Sequence, residues 1–128
     1  MKKLTLSIIV LILTTAIPAQ ESSLLSSNLK RVKQNSKYGL HSISGEEILP
    51  IVYDNILLLA PTVIAAKERW KFKIIDLANK NQTVFECDRL EKVGEPKPMI
   101  EVWNGNDHGY FDTTTLAFTP SDIYWTVD

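Results

Sequence analysis

A stretch of twenty residues, 37–56, recurs along the chain and constrains its fold more than any other feature. The stretch reads KYGLHSISGEEILPIVYDNI. A shift of 34 residues matches it to a second copy, with the pairs Lys37 and Lys71, Tyr38 and Phe72, Leu40 and Ile74, and Asp54 and Asp88. A shift of 70 matches a third copy, with the pairs Gly39 and Gly109, Ile48 and Phe118, and Pro50 and Pro120. A period in the mid-thirties is typical of arrays whose units bury their apolar faces against each other.

Each copy has the pattern of a β-hairpin. In residues 38–43, Tyr38, Leu40 and Ser42 alternate with Gly39, His41 and Ile43, the period of a strand with one buried face. Ser44 and Gly45 then supply turn residues, and a second apolar run covers Ile48 to Tyr53. Pro50 lacks the N–H that a central strand needs, so the second strand is predicted to be an edge, a bulge or a bend.

The predicted fold class is all-β, with antiparallel hairpin repeats that form a curled sheet or a small open barrel. After residue 19 no stretch keeps a helical period with capping residues, and Pro61 interrupts the apolar segment 55–67. The copies are placed at about 29–61, 62–97 and 98–128. Ser42, Asp76 and Asp112 occupy one repeat position and are predicted to begin turns through side-chain hydrogen bonds to the backbone.

The amino terminus has the pattern of a secretory signal helix. Lys2 and Lys3 precede an apolar segment of 14 residues, 4–17, and Ala19 is a suitable cleavage point. The predicted organisation is a signal peptide at 1–19, a leader at 20–28 and one β domain at 29–128. The protein is therefore expected to be secreted or periplasmic, with no stable membrane span after cleavage. The alternative is a retained amino-terminal membrane anchor, although the segment is shorter than the roughly 20 residues of a spanning helix.

The processed chain would be mildly acidic and without internal disulfides. Loss of Lys2 and Lys3 changes the formal charge from −1 to −3, which offers no basic surface for nucleic acid. Cys87 is the only cysteine. Because it lies in the apolar run 84–87, we expect it to be a small buried side chain and not a nucleophile.

These features together resemble the WG repeat family, also called KWG repeats. The resemblance rests on Tyr38-Gly39-Leu40, on Gly45 and on the segment Ile48 to Asp54. It covers about residues 29–128, with a good match in the first copy and partial matches later. It implies β-hairpin repeats in exported or surface-associated bacterial proteins, and it implies no shared catalytic residues.

The chain has little that indicates chemistry. Asp107, His108 and Asp112 are the closest set of metal-ligand residue types, but the repeat accounts for two of them: Asp112 as a turn residue and His108 in the aromatic position. No cofactor and no metal are predicted. A glycan hydrolase that uses carboxylates such as Glu101 and Asp112 is the enzymatic alternative, because such a pair is assembled only by folding.

Aromatic residues provide the remaining candidates for a binding surface. They are Trp70, Trp103, Tyr110, Tyr124 and Trp125. For Trp103 a place in the core is the favoured interpretation, whereas Trp70 lies between Arg69 and Lys71 and suits core or surface equally. Functional residues are best sought where the copies differ, at Trp70, Lys73, Trp103 and His108.

The leading hypothesis is an exported binding module without catalysis, whose partner is a protein or a cell-envelope polymer. Unpaired edge strands would allow docking by strand addition. The alternatives are a carbohydrate-binding protein or weak glycan hydrolase, and a structural repeat fragment with no ligand of its own.

Overall fold

The computed structural model describes residues 19–93 and 98–121, and these residues form twelve strands in three sheets of four. The first sheet contains β1 (Glu21–Leu24), β2 (Leu29–Gln34), β3 (Lys37–Ser42) and β4 (Glu47–Tyr53). The second contains β5 (Asn55–Ala60), β6 (Val63–Glu68), β7 (Lys71–Asp76) and β8 (Gln82–Cys87). The third contains β9 (Arg89–Lys92), β10 (Met99–Asn104), β11 (Asp107–Asp112) and β12 (Ala117–Pro120).

Every sheet is an antiparallel meander in which each strand pairs with its neighbours in sequence. The prediction of an all-β antiparallel fold is confirmed. The strands form three separate sheets, however, in place of one curled sheet or a small open barrel. The predicted leader 20–28 contains β1, which pairs with β2 from Glu21 opposite Lys33 to Leu24 opposite Lys30. The signal helix predicted at 1–19 lies, except for Ala19, outside the described residues.

A single aspartate separates each sheet from the next. Asp54 lies between β4 and β5, and Asp88 lies between β8 and β9. On either side of each aspartate the chain changes its pairing partner: β4 pairs back to β3, whereas β5 pairs forward to β6. This change of partner ends one sheet and begins the next.

Both aspartates hold neighbouring sheets together through equivalent contacts. The Asp54 carboxylate accepts hydrogen bonds from Lys37 and from the backbone N–H of Arg69, the latter at 2.8 Å. The Asp88 carboxylate likewise pairs with Lys71 at 2.9 Å and accepts a hydrogen bond from the backbone N–H of Gly105. Each aspartate therefore joins the start of the third strand of one sheet to a hairpin turn of the following sheet.

We define two faces for every sheet from its strand register. The front face carries Leu40 in the first sheet, Ile74 in the second and Tyr110 in the third, and the back face carries the side chains that point the other way. The front of the first sheet packs on the back of the second, where Leu29, Leu40 and Leu49 meet Ile56, Ile64, Ala66 and Ile75. The front of the second sheet packs on the back of the third, where Leu59, Val63, Ala65, Ile74 and Cys87 meet Ile100, Val102 and Phe111.

The second sheet is consequently buried on both faces. All four residues of Val63–Ala66 are buried, and the successive side chains of residues 56–59 in β5 alternate between the two cores. A strand covered on both faces has no position where a polar side chain is needed, so its sequence is a continuous apolar run. This explains why 56–59 lacks a polar face. The outer sheets keep the alternation of strands with one covered face.

The turns follow the repeat. Ser42 accepts a hydrogen bond from the N–H of Glu46 at 3.0 Å, Asp76 from Ala78 at 3.1 Å, and Asp112 from Thr114 at 2.7 Å. These bonds confirm the predicted role of this repeat position in beginning turns.

Gly39 marks a close approach between backbones and explains the glycine of the repeat. A Cβ atom here would lie 2.8 Å from Cγ1 of Ile51 and 2.9 Å from the carbonyl oxygen of Leu49. The β3–β4 register is irregular at this point, since Tyr38 pairs with Tyr53 and Leu40 with Leu49. Pro50 thus lies in an irregular edge strand, as predicted.

Candidate functional site

The front face of the third sheet carries a cluster of aromatic and charged side chains. The strand register places Arg89, Trp103 and His108 in one row across β9, β10 and β11. Glu91, Glu101 and Tyr110 form the next row. We call these six residues the Trp103 cluster.

Trp103 is held between two side chains of its own row. The Arg89 guanidinium lies 4.2 Å from the centre of the Trp103 ring, and the His108 ring is stacked on Trp103 with 4.9 Å between centres. A guanidinium over an indole face is attracted by the negative charge density of the ring. Since flanking strands supply both neighbours, the pleated sheet itself fixes the orientation of the indole.

Hydrogen bonds and ion pairs connect the two rows. His108 Nε2 lies 2.7 Å from Glu101 Oε2, and the side chains of His108 and Glu101 are 32% and 27% exposed. Arg89 pairs with Glu91 at 2.8 Å on the rim. The His108 ring also lies 5.9 Å from the Tyr110 ring. The surface is therefore preformed: its side chains are ordered by one another and remain accessible to a partner.

The same positions in the other two sheets have a different chemistry. In the row of Trp103 and His108, the first sheet places Lys33 over Tyr38 at 5.8 Å and the second places Lys67 over Phe72 at 5.6 Å. The third sheet has the cation–aromatic pair in another arrangement, with Trp103 in the lysine position and Arg89 supplying the charge. The cluster thus lies at positions where the third copy departs from the others.

Tyr110 is half-buried at a position that is fully buried in the other two sheets. Its equivalents, Leu40 and Ile74, are both 0% exposed because the next sheet covers them. In the described part of the chain no fourth sheet covers the front of the third. The Trp103 cluster therefore occupies a type of surface that is an interface in both other sheets.

The four residues predicted from copy differences fall in two places. Trp103 and His108 are in contact within the cluster, whereas Trp70 lies at the tip of the β6–β7 turn with 84% of its surface exposed. Lys73 lies on the back of the second sheet, 3.7 Å from Glu68. The expectation that Trp103 belongs to the core is wrong, because the side chain is half-buried and part of neither core, and no sheet among the described residues packs on its face. Tyr124 and Trp125 lie outside the described residues.

Two members of the cluster, Arg89 and Glu91, were missed by sequence reasoning. Both are on the short strand β9, which directly follows Asp88. The shift of 34 pairs them with Asn55 and Leu57, so the change from uncharged to charged residues on one strand was the available signal. That signal is weak, because alternating charges on a short strand usually mark an exposed face.

The acids considered for catalysis already have partners. Asp112 accepts hydrogen bonds from the N–H groups of Thr114 and Thr115 at 2.7 and 3.2 Å, and Glu101 contacts His108. Within 19–93 and 98–121, no group of three or more His, Cys, Asp or Glu side chains is arranged to hold a metal ion.

Cys87 is buried at the junction of the second and third sheets, as predicted. Its burial, together with the neighbouring charge of Asp88, raises the pKa of the thiol to about 11. A thiol with such a pKa is almost entirely protonated at neutral pH, and the thiolate is the nucleophilic form. The side chain is suited to packing.

Comparisons of the chain with models of protein families, with curated proteins and with solved structures found no match. In the residues described by the structure, no helix has the length and apolar character needed to cross a membrane.

Proposed function

We propose that the protein is an exported β-repeat module that binds a protein partner through the front face of its third sheet. The observation that carries the proposal is the position of the Trp103 cluster on a face whose two equivalents in the chain are buried interfaces. Tryptophan, tyrosine and arginine are also the residue types that contribute most to protein interfaces. Catalysis is not part of the proposal.

A protein suits this surface better than a polymer of sugars. Sugar rings stack on an open aromatic face, but Arg89 and His108 lie against the Trp103 ring at 4.2 and 4.9 Å. A glycan would have to displace one of them before it could stack. A protein partner can instead contact the rim of the indole together with the charged groups of Arg89 and Glu101.

Export is supported by the charged start, the apolar segment 4–17 and Ala19 at a suitable cleavage point. The WG repeat resemblance supports the same location, since it implies exported or surface-associated proteins. We expect the protein recovered from outside the cytoplasm to begin at Gln20, which amino-terminal sequencing would check. A chain that begins at Met1 and sediments with membranes would instead favour the anchored alternative.

Site-specific photocrosslinking in cells that produce the protein would test the binding surface. A photoreactive amino acid at position 103 should capture a protein partner, because this position lies in the middle of the cluster. The same amino acid at position 80, in the exposed β7–β8 turn, is the matched control and should capture none. Equal capture at both positions, or no capture at position 103 in a variant that melts like the wild type, would contradict the proposal.

A further inference from the structure

Resting on this proposed function, we infer that the protein partner is a second copy of the chain. In this arrangement the back face of the first sheet of one copy docks on the front face of the third sheet of the other. The contact would be head to tail, with one end of the stack of sheets meeting the opposite end of the next stack.

The chain has two junctions between sheets, first on second and second on third, and both show the geometry that this contact would have. Each one places the front of one sheet on the back of the next, and side chains cross the gap. Arg31 on the front of the first sheet donates hydrogen bonds to Asn55 Oδ1 at 3.1 Å and to the carbonyl oxygen of Ile56 at 3.2 Å, both in β5. At the second junction Phe85 stacks on Phe118 with 5.0 Å between ring centres.

The two ends of the described stack are the two halves of such a junction. Within residues 19–93 and 98–121, no sheet follows the front of the third sheet and none precedes the back of the first. The back of the first sheet also has an exposed apolar side chain: Leu24 pairs with Lys30 across β1 and β2 and is 73% exposed, whereas Val32 on the same face is already buried at 3% exposure. A second copy would continue the stacking that the chain already uses twice.

One position on each end carries a charge opposite to that on the other end. On the back faces Ile64 and Ile75 pair across the second sheet and Ile100 and Phe111 pair across the third. At the equivalent position of the first sheet, Lys30 in β2 lies opposite His41 in β3. One front-face position is occupied by Arg31 in the first sheet, by Ala65 in the second and by Glu101 in the third.

These replacements put a cation at one end of the stack and a carboxylate at the other. At the second junction, Ala65 on the front is the equivalent of Glu101 and Ile100 on the back is the equivalent of Lys30, and both belong to the same core, so the two positions lie on facing surfaces. Within the described residues Lys30 has no ion pair. A head-to-tail contact would place Lys30 of one copy near Glu101 of the other, where it would add a cation beside the contact between Glu101 and His108 in a partly dry interface.

A head-to-tail contact uses two different surfaces, so it is heterologous. Such an interface either closes into a ring or continues as an open chain, depending on the rotation between copies. Dimers should therefore be accompanied by higher oligomers unless two copies close on each other.

Sedimentation velocity of the exported, processed protein over a range of concentrations would test the inference, together with charge-reversal variants. Lys30→Glu and Glu101→Lys should each weaken association by about tenfold or more, since each places like charges together. The double variant should restore association, because it exchanges the two charges. Lys80→Glu and Glu46→Lys change the charge equally in exposed turns, and both should associate like the wild type.

If the double variant associates, the loss in the single variants comes from the contact between positions 30 and 101 and not from a damaged fold. Thermal unfolding of each variant checks its fold directly. A protein that is monomeric at all concentrations would overturn the inference. So would association that is sensitive to Glu101→Lys but not to Lys30→Glu, since that result indicates front-to-front pairing. Capture of a different protein from position 103 would then leave the proposed function intact and remove only the second copy as its partner.

Discussion

Single residues carry much of the conformational strain in the hairpin turns of this fold. The β6–β7 turn places Arg69 at φ 60°, and the β10–β11 turn places Gly105 at φ 65°. The backbone N–H of Arg69 donates to Asp54 and that of Gly105 donates to Asp88, so the two turn positions are structurally equivalent. A side chain at positive φ clashes with its own backbone, whereas glycine does not.

Replacing Arg69 with glycine should therefore stabilise the protein. Relief of the left-handed conformation is worth about 1–2 kcal/mol, and the extra entropy of glycine in the unfolded chain offsets about 0.5–1 kcal/mol of it. We expect a net gain of about 0.5–1 kcal/mol in the free energy of unfolding, measured by urea denaturation. Glu68→Gly, at the last position of β6, is the control and should destabilise the protein. A loss of stability in Arg69→Gly would show that the Arg69 side chain makes a contact that outweighs the strain.

At the scale of the elements, the aspartate between two sheets is the unit that couples them. The hydrogen bond from Lys37, followed by that from the N–H of Arg69, lowers the pKa of Asp54 below its ordinary value of 3.8. For Asp88 the N–H of Gly105 has the largest effect and Lys71 the next, and the pKa is again lowered. In the third copy the lysine position is Asp107, so the pair of lysine and aspartate is confined to the two junctions inside the chain.

This coupling predicts a loss of stability in acid. A carboxylate whose pKa is lower in the folded state stabilises the fold fully above its unfolded pKa, here 3.8, and the contribution disappears as the pH falls through the folded pKa. Asp54→Asn and Asp88→Asn should each lower the melting temperature at pH 7 and make it less sensitive to pH below about 4. Melting curves from pH 7 to pH 2 would measure this effect. Variants that keep the full acid sensitivity of the wild type would show that other carboxylates are responsible.

At the scale of the whole molecule, the second sheet belongs to both cores. Ile74 lies in one core and Ile75 in the other, at 0% and 2% exposure. Adjacent residues of one strand thus connect all three sheets. Because neither core can be lost without exposing one side of this sheet, the described domain should unfold as one cooperative unit.

Ile74→Ala and Ile75→Ala test this shared core. Each deletes buried methyl and methylene groups and should cost about 2–5 kcal/mol of unfolding free energy. Both variants should keep a single transition, with the same midpoint whether tryptophan fluorescence or circular dichroism is followed. Val52→Ala, at a side chain that is 49% exposed, is the control and should change the stability by less than about 0.5 kcal/mol. Two separate transitions in either variant would show that the sheets unfold independently.

The sequence alone predicted the all-β class, the hairpin period, the turn residues and the burial of Cys87. The class, the period and the turns depend on local geometry: the period of two in a strand and the side-chain hydrogen bonds of Ser42 and Asp76 act over a few residues. The candidate site was only half predicted, since Trp103 and His108 were identified, whereas Arg89 and Glu91 were not.

Only the tertiary structure decided which faces are covered. The pattern of the residues could not show that the single aspartates Asp54 and Asp88 end one sheet and begin another, because pairing partners are chosen between strands and not within them. It also could not place Trp103 outside the core. An aromatic residue at a strand position is buried or exposed according to whether another sheet packs on that face, and the number and order of the stacked sheets decide this.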